Sequence, residues 1–511
     1  MCSRCVKLKK SCIFDPNFKR ISTKSQIQHL KKELKLYKHA LNSNDNSNST
    51  LTSVHLSASN DTTPSDKNTA LEEPIQSCAS EKTLGTIVLL ADKVTELFEI
   101  FFEQCYPYLS FTISRSIETV YNDCSLLFWV ICNVASIPDQ ALHSQLYPQV
   151  QRLVSQVTLF PARQIEILQA LLITSLWPFP STSLLSDSSY LLCGLAIHIG
   201  LQIGLHRPER SYEFSSKQEV LRTDSNTRRA TWLSCYSINY WHSSRLGVPS
   251  TFVEDAHFIS MIENPETSES LSRICKVCRL ASAACVALGA DIGRFQIVDL
   301  ISYENRLNMI KMYITELTSV QLSSRHPDAS VLEVMFLGAR LQIFSFALVD
   351  IPSEMESHSG HYIAIDTFYQ AETNAIKLID IVDQEIHTEY APVLVTKFVI
   401  YATLVLLWIL RSKYANNKQQ IAQSVTKSQA LLVKLSRYER DEPQRAVTLI
   451  SSFSRIEQDR KRSLPVRSRM SATLLYESIR VSKENSNEIV QKLLDSLLKG
   501  DTMSLMQEFN L

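Results

Sequence analysis

The sequence predicts an all-α fold. It holds only ten glycines in 511 residues, roughly a third of ordinary usage, whereas sheets with tight hairpins and phosphate-binding loops need many. Apolar residues make up 45% of the chain, enough for a large core. From residue 87 onward the apolar residues recur at helical spacing, as Ile87, Leu90, Ala91, Val94, Leu97, Phe98 and Phe101. We therefore expect a large all-α domain over 84–455.

The first twenty residues contain three closely spaced cysteines. Two residues separate Cys2 from Cys5, and Cys12 follows after six more. Thiolates at this spacing suit Zn²⁺, because a tight turn lets both sulfurs face one tetrahedral ion. Basic residues surround them and would contact DNA phosphates, which adds affinity without sequence information. We predict a partial zinc-cluster segment and connector over 1–20, with phosphate contacts from Lys7, Lys9, Lys10, Lys19 and Arg20.

A short heptad pattern follows. Its apolar residues are separated by 3, 4, 3 and 4 positions, as in a coiled coil, and they are Ile27, Leu30, Leu34, Tyr37 and Leu41. A dimerisation helix over 21–41 is predicted, although two heptads are marginal in isolation. The alternative is a helix packed on its own domain. The Asn- and Ser-rich stretch 42–83, predicted to be a disordered linker, favours the coiled coil.

The cysteines, the basic connector and the heptad together resemble the fungal six-cysteine zinc-cluster transcription factors. In that family two zinc ions share six cysteines, and Cys2, Cys5 and Cys12 match the second half of the pattern. The next cysteine is Cys78, so three thiolates cannot complete a two-ion site. We expect a sequence that begins inside its cluster, or alternatively a genuine vestigial half-cluster. The family's base-reading lysine belongs to the first half, so negligible sequence-specific DNA affinity is expected for the chain as given.

Further segments resemble the regulatory, or middle homology, domain of the same family. They are Leu168–Leu172, Gly194–His198, Gly204–Arg207, Arg229–Trp232 and Ser243–Pro249. The resemblance implies a helical domain that keeps an activator silent until a small molecule binds. Within the family, the subgroup nearest in character is that of the regulators of branched-chain amino-acid synthesis or weak-acid response.

Three residues are candidates for an anionic-ligand site: His206, Arg207 and Arg245. Arginines in clefts pair well with carboxylates. Helix caps and structural ion pairs account for them more readily, so the effector-binding residues stay unknown.

Other features exclude alternative classes. Cys275, Cys278 and Cys285 repeat the zinc-like spacing, but they lie in an apolar helical run and read as core. Val393–Leu410 is at the short limit for a membrane span and contains Lys397, so a buried core helix is favoured and no membrane partner is expected. The sequence contains no recognisable catalytic motif. Asp380 and Asp383 form a lone carboxylate pair without a second metal-binding motif, and surface acids on a helix explain them better. We therefore predict that the protein is not an enzyme.

Charge is distributed unevenly. Residues 1–41 carry nine Lys and two Arg against Asp15 and Glu33, a net +9, which leaves −9 on the remainder. The basic head suits DNA. The tail 456–511 contains a basic stretch, which suits nuclear import or a solvated loop equally, and an acidic-hydrophobic end. That end suits an activation segment for coactivators or a docked amphipathic helix.

Together with these features, the resemblance to the zinc-cluster family implies a nuclear, zinc-dependent regulator of RNA polymerase II genes. With a complete cluster of two zinc ions it would bind CGG-type half-sites in double-stranded DNA as a homodimer, under the control of a small-molecule effector. The alternative is a DNA-blind metabolite-sensing or heterodimerising regulatory protein.

Overall fold

The computed structural model describes residues 75–157, 164–183, 186–214, 223–294, 299–320, 329–352, 355, 360–455 and 466–485. All of them belong to one structural unit of the chain, Glu72–Leu511. The zinc-cluster segment, the coiled coil and the end of the chain from 486 lie outside the described residues.

The described fold is almost entirely helical, which confirms the predicted class. Two three-residue strands, β1 (Lys82–Leu84) and β2 (Ile87–Leu89), form an antiparallel hairpin. The helices follow in this order: α1 (Ala91–Ile100), α2 (Ile117–Asp123), α3 (Ser125–Ala135), α4 (Gln140–Val157), α5 (Ile165–Leu176), α6 (Ser189–Gln202), α7 (Ser225–Leu246), α8 (Ala256–Ile262), α9 (Glu269–Arg294), α10 (Leu300–Ser319), α11 (Ala329–Phe344), α12 (His361–Glu385), α13 (Val393–Leu410), α14 (Lys418–Leu435) and α15 (Glu442–Ser454). A last described helix, α16, covers 473–485.

The hairpin changes the predicted start of the domain. Ile87 was expected to begin a helical stripe, but it lies in β2, and Leu90 precedes α1 with its side chain largely exposed. Gly85, at φ 61, provides the turn between the strands. Positive φ suits glycine because it lacks a Cβ. Residues 75–83, at the end of the predicted linker, include the buried Cys78.

Aspartate caps explain where several helices begin. The carboxylates of Asp224, Asp255 and Asp299 accept hydrogen bonds from backbone amides three residues further on, at 2.7–2.8 Å. Such caps satisfy amides that have no partner inside the helix. Asp441 caps α15 in the same way.

One cluster of buried apolar residues extends through the described body from Cys78 to Val481. Consecutive helices pack against each other within it, α11 on α12, α12 on α13 and α13 on α14 among them. The last described segment, 466–485, packs on this body rather than forming a separate tail: Ala472, Leu474 and Val481 are buried.

Two helical stretches are long and apolar enough to cross a membrane, Ala329–Leu348 and Val393–Leu410. Both are mostly buried inside the described body. A buried core helix passes the same test of length and composition, which agrees with the interpretation of Val393–Leu410 from sequence.

Candidate functional site

A pocket of about 960 Å³ lies between the body and the C-terminal segment 466–485. Its walls come from the end of α7, from α13, from α15 and from the C-terminal segment. The lining is mainly apolar and includes Trp241, Leu394, Phe398, Leu449, Leu475 and Ile479. This size and character are typical of small-molecule sites.

Gly247 lies at the edge of the pocket, between the lining residues Leu246 and Val248. It ends α7 in the left-handed conformation, at φ 63, and the following amide of Val248 donates to the Ser243 carbonyl at 3.1 Å. This is the usual C-terminal motif in which glycine tolerates positive φ. Gly247, with Pro249 just beyond it, is also the helix-stop signal that the sequence itself carries at this position.

The C-terminal segment is held across the pocket by polar contacts with two helices, α7 and α13. The Arg469 guanidinium donates to the Leu246 carbonyl at 3.2 Å, and the Trp408 indole donates to Ser478 Oγ at 2.9 Å. The Tyr401 hydroxyl donates to the Ser471 carbonyl. Each contact joins residues 70 or more positions apart, so tertiary structure fixes this wall.

A buried group of charges lies beside the apolar lining. Arg245 Nη2 is 2.6 Å from Asp187 Oδ2, and Arg245 Nη1 is 3.4 Å from Glu442 Oε1. Lys397, on α13, places its Nζ 3.9 Å from the same oxygen of Asp187. The side chains of Asp187, Arg245 and Lys397 are each less than a tenth exposed.

The ammonium of Lys397 makes no hydrogen bond to any described residue, and neither do the two ring nitrogens of the neighbouring His242. An ammonium has three donors, and a buried charge without hydrogen bonds is costly. Burial, with repulsion from Arg245, lowers the pKa of Lys397 to about 7. At neutral pH this side chain is therefore divided between its charged and neutral forms.

Asp187 is the anionic centre of the group. Burial alone would raise the pKa of its carboxyl, but Lys397 and Arg245 outweigh that effect and hold the pKa well below its usual range. Asp187 Oδ1 also accepts from the Ser189 amide at 2.9 Å. Both carboxylate oxygens are therefore engaged, which fixes the start of α6 to the end of α7.

His242 is buried next to this group. Burial, together with Lys397 and Arg245, holds the pKa of its imidazole well below the ordinary value. It remains neutral at pH 7 and adds no positive charge.

Part of the helical body matches a known protein domain. Residues 98–333 match the fungal specific transcription factor domain. The match covers just under half of the chain, from α1 to the start of α11, and takes in the end of α7 with Trp241 and Arg245.

The curated relatives are also fungal transcription factors. The chain is 27% identical over 352 residues to the transcriptional regulatory protein SEF1 of Candida albicans, covering 66% of this chain and 37% of that protein. It is 32% identical over 180 residues to the putative transcription factor SEF1 of Saccharomyces cerevisiae, covering 34% and 16%. Identity to the regulatory protein LEU3 of Saccharomyces cerevisiae is 21% over 331 residues, covering 58% and 37%.

The matched part of the chain spans about a third of the length of the SEF1 relatives from Candida albicans and Eremothecium gossypii. No solved structure gives a significant match. Together, the domain match and the relatives support membership of the fungal transcription-factor family and a role as a transcriptional regulator. The names of these relatives describe regulators and not enzymes. The subgroup stays a prediction.

The predicted zinc ligands, phosphate contacts and heptad residues all lie outside the described residues. Among the described residues no cluster of His, Cys, Asp or Glu suits a metal ion. The nine described cysteines are free and buried. Cys275, Cys278 and Cys285 lie on α9 inside the core, as predicted, and burial raises the pKa of their thiols.

The two arginines considered for an anionic ligand have structural partners, as favoured from sequence. Arg207 Nη2 lies 2.6 Å from Asp255, on a half-exposed surface, and Arg245 pairs with Asp187 and Glu442. His206 packs against Phe214, with ring centroids 4.8 Å apart.

Two other predicted features also have structural roles. Asp380 and Asp383 form ion pairs with Lys427, at 2.8 and 3.3 Å, on the outside of α12. In the basic stretch of the C-terminal segment, Arg467 pairs with Asp350 at 2.9 Å.

Lys397 is the pocket residue that sequence reasoning missed. From the sequence alone, Lys397 is only a charged interruption of the apolar stretch Val393–Leu410. The signal was nevertheless present, since a lone lysine in an otherwise apolar 18-residue helix must be buried with or near a counter-charge. Glu442 and Asp187 gave no comparable signal, because both are ordinary residues for the start of a helix.

Proposed function

We propose that this protein is a zinc-dependent, DNA-binding transcriptional regulator of RNA polymerase II genes, acting in the nucleus and controlled by a small-molecule effector through its helical domain. The observation that carries the proposal is the match of the fungal specific transcription factor domain over 98–333. The spacing of Cys2, Cys5 and Cys12 and the net charge of +9 on residues 1–41 support DNA binding.

DNA recognition requires a complete cluster. Six thiolates fill eight sulfur positions around two tetrahedral zinc ions only when two of them bridge, and three thiolates cannot. With the complete cluster the protein binds CGG-type half-sites as a homodimer paired through 21–41. The three cysteines, with Lys7, Lys9, Lys10, Lys19 and Arg20, then form the second half of the DNA-binding unit.

Effector control fits the helical body. The pocket has the volume and the mainly apolar lining of a small-molecule site, and the segment 466–485 forms one wall. That segment precedes the acidic-hydrophobic residues 493–511, the proposed contact for coactivators. A ligand in the pocket would thus contact the part of the chain that leads to them.

A gel-shift titration tests DNA binding. The protein is extended at its N-terminus by a C-x2-C-R-x-x-K-x-x-C segment, loaded with zinc, and titrated against duplexes with and without CGG half-sites. We expect a dissociation constant of about 10 nM for CGG duplexes and at least hundredfold weaker binding to the scrambled duplex. Cys5→Ser in the extended protein is the matched control and abolishes the preference. Equal affinity for both duplexes, with zinc bound, would mean a DNA-blind regulator instead.

A further inference from the structure

We propose that the pocket binds an amphipathic anion, an apolar molecule with one carboxylate or similar acidic head group, and that Lys397 binds the head group. This inference rests on the proposed effector control and specifies its ligand. None of the matched proteins' names assigns a ligand.

Lys397 has hydrogen-bonding capacity that no described residue uses. Its ammonium is less than a tenth exposed, and it makes no hydrogen bond to a described residue. Asp187 is too far for one, at 3.9 Å. Arg245 and Ser189 hold Asp187 in that position through its two carboxylate oxygens. An acceptor brought by a ligand would supply the missing partner.

The charged side chains around the pocket are mainly positive. Cationic side chains in the lining outnumber acidic ones. The cationic ones are Arg245, Lys397, Arg445, Arg469 and Lys483, against Glu442 in the lining and Asp187 behind it. Both acids are already paired with Arg245. An anion is therefore favoured and a cation disfavoured.

The rest of the pocket wall suits an apolar ligand body. Away from the charged group the wall is formed by aromatic and aliphatic side chains of α7, α13, α15 and α16, such as Phe398, Leu449 and Ile479. Such a surface binds apolar groups by excluding water. A small, fully hydrophilic anion would leave most of this wall unfilled.

The experiment uses two fluorescent probes of similar size. They are 8-anilinonaphthalene-1-sulfonate, an apolar anion, and N-phenyl-1-naphthylamine, which lacks the sulfonate. Each is titrated into the full chain at pH 6.5, where Lys397 is mostly charged. We expect the anion to bind at least about tenfold more tightly, and octanoate to displace it where octanamide does not.

Variants locate the head-group site. Lys397→Met removes the ammonium at similar volume and should abolish the preference for the anion while leaving the neutral probe unchanged. Lys397→Arg should keep the preference. Lys377→Met, on α12, is the matched control, because Lys377 is half-exposed and outside the pocket lining. Circular dichroism checks that each variant is folded.

Two results would overturn the proposal: equal affinity of the wild-type protein for the two probes, or an undiminished preference in folded Lys397→Met. If that variant does not fold, the wild-type comparison and the octanoate competition still decide the matter. None of these readouts involves DNA. Failure here would thus reject the ligand class alone, and failure of the gel shift would reject DNA binding alone.

Discussion

The backbone carbonyl of Arg469 lies against Gly247, in the space that a Cβ on residue 247 would occupy. This contact fixes the C-terminal segment to the end of α7 at one edge of the pocket. Backbone cannot move aside as a flexible side chain can. The closure of the pocket therefore depends on the absence of a single methyl group.

Gly247→Ala tests this contact. The substitution forces alanine into the left-handed region, at a cost of about 1 kcal/mol, and adds a clash with the Arg469 carbonyl. We expect a loss of at least about 2 kcal/mol in the free energy of unfolding, measured by urea denaturation, and faster proteolysis of 466–485.

Gly194→Ala is the matched control for that variant. Gly194 lies inside α6, and a Cβ there would meet nothing within 4 Å. We expect a gain of about 0.5–1 kcal/mol in unfolding free energy, because alanine favours the helix. Similar losses for both glycines would contradict the special role of Gly247.

Arg245→Met should be severely destabilising. Removing the guanidinium leaves the Asp187 carboxylate buried with only the Lys397 ammonium, 3.9 Å away, as a counter-charge. Breaking a buried pair from one side costs about 3–5 kcal/mol. Arg207→Met removes a pair with the same 2.6 Å distance, but that pair is a third or more exposed. It should cost no more than about 1 kcal/mol. Chemical denaturation of the two variants measures the difference, and equal losses would argue that burial does not strengthen the Arg245 pair.

Lys397 gives stability a pH dependence of known sign. Its pKa is about 7 in the folded protein, below the ordinary value of 10.5. Between these two pH values the unfolded chain binds more protons, so the free energy of unfolding rises with pH. From pH 7 to 8.5 we expect a gain of about 1–2 kcal/mol in the wild-type protein relative to Lys397→Met.

Three groups that act on the Lys397 ammonium have pKa values shifted away from that window. Asp187 remains ionised, His242 remains neutral and Arg245 remains charged. The difference between wild type and Lys397→Met also cancels contributions from the buried thiols. Identical pH profiles of the two proteins would show that the ammonium is hydrated in solution and not buried.

The coiled coil is tested by its apolar seam. Leu30→Glu combined with Leu34→Glu places acidic residues at the predicted contact positions, and sedimentation velocity should change from dimer to monomer. Lys31→Glu and Lys35→Glu, off the seam, are the control and should leave the dimer intact. A dimer that survives the leucine substitutions would assign dimerisation to the helical body.

Much of the helical body could be predicted from local patterns. The α7 helix covers Ser225–Leu246, and both of its ends carry local sequence signals, the capping Asp224 and the terminal Gly247. The burial of Cys275, Cys278 and Cys285 followed from an unbroken apolar run. The hairpin at Gly85 was missed, because short strands and helix ends share the same apolar residues.

The pocket could not be predicted, for a physical reason. Its charged group joins Asp187, Arg245, Lys397 and Glu442, which lie on four separate helices or helix starts. Only tertiary packing brings them together. The C-terminal wall was predicted only as part of the tail 456–511 for the same reason: its contacts are with partners 70 or more residues away, such as Trp408 with Ser478.

The burial of nine cysteines has a practical consequence for chemical labelling. The chain has twelve cysteines, and the nine described ones are enclosed in the core. Alkylating reagents attack exposed thiolates, so they should spare these nine while the fold is intact. Any maleimide taken up by the native protein then reports on Cys2, Cys5 and Cys12, and its suppression by added zinc would give a direct assay of metal occupancy at the DNA-binding end.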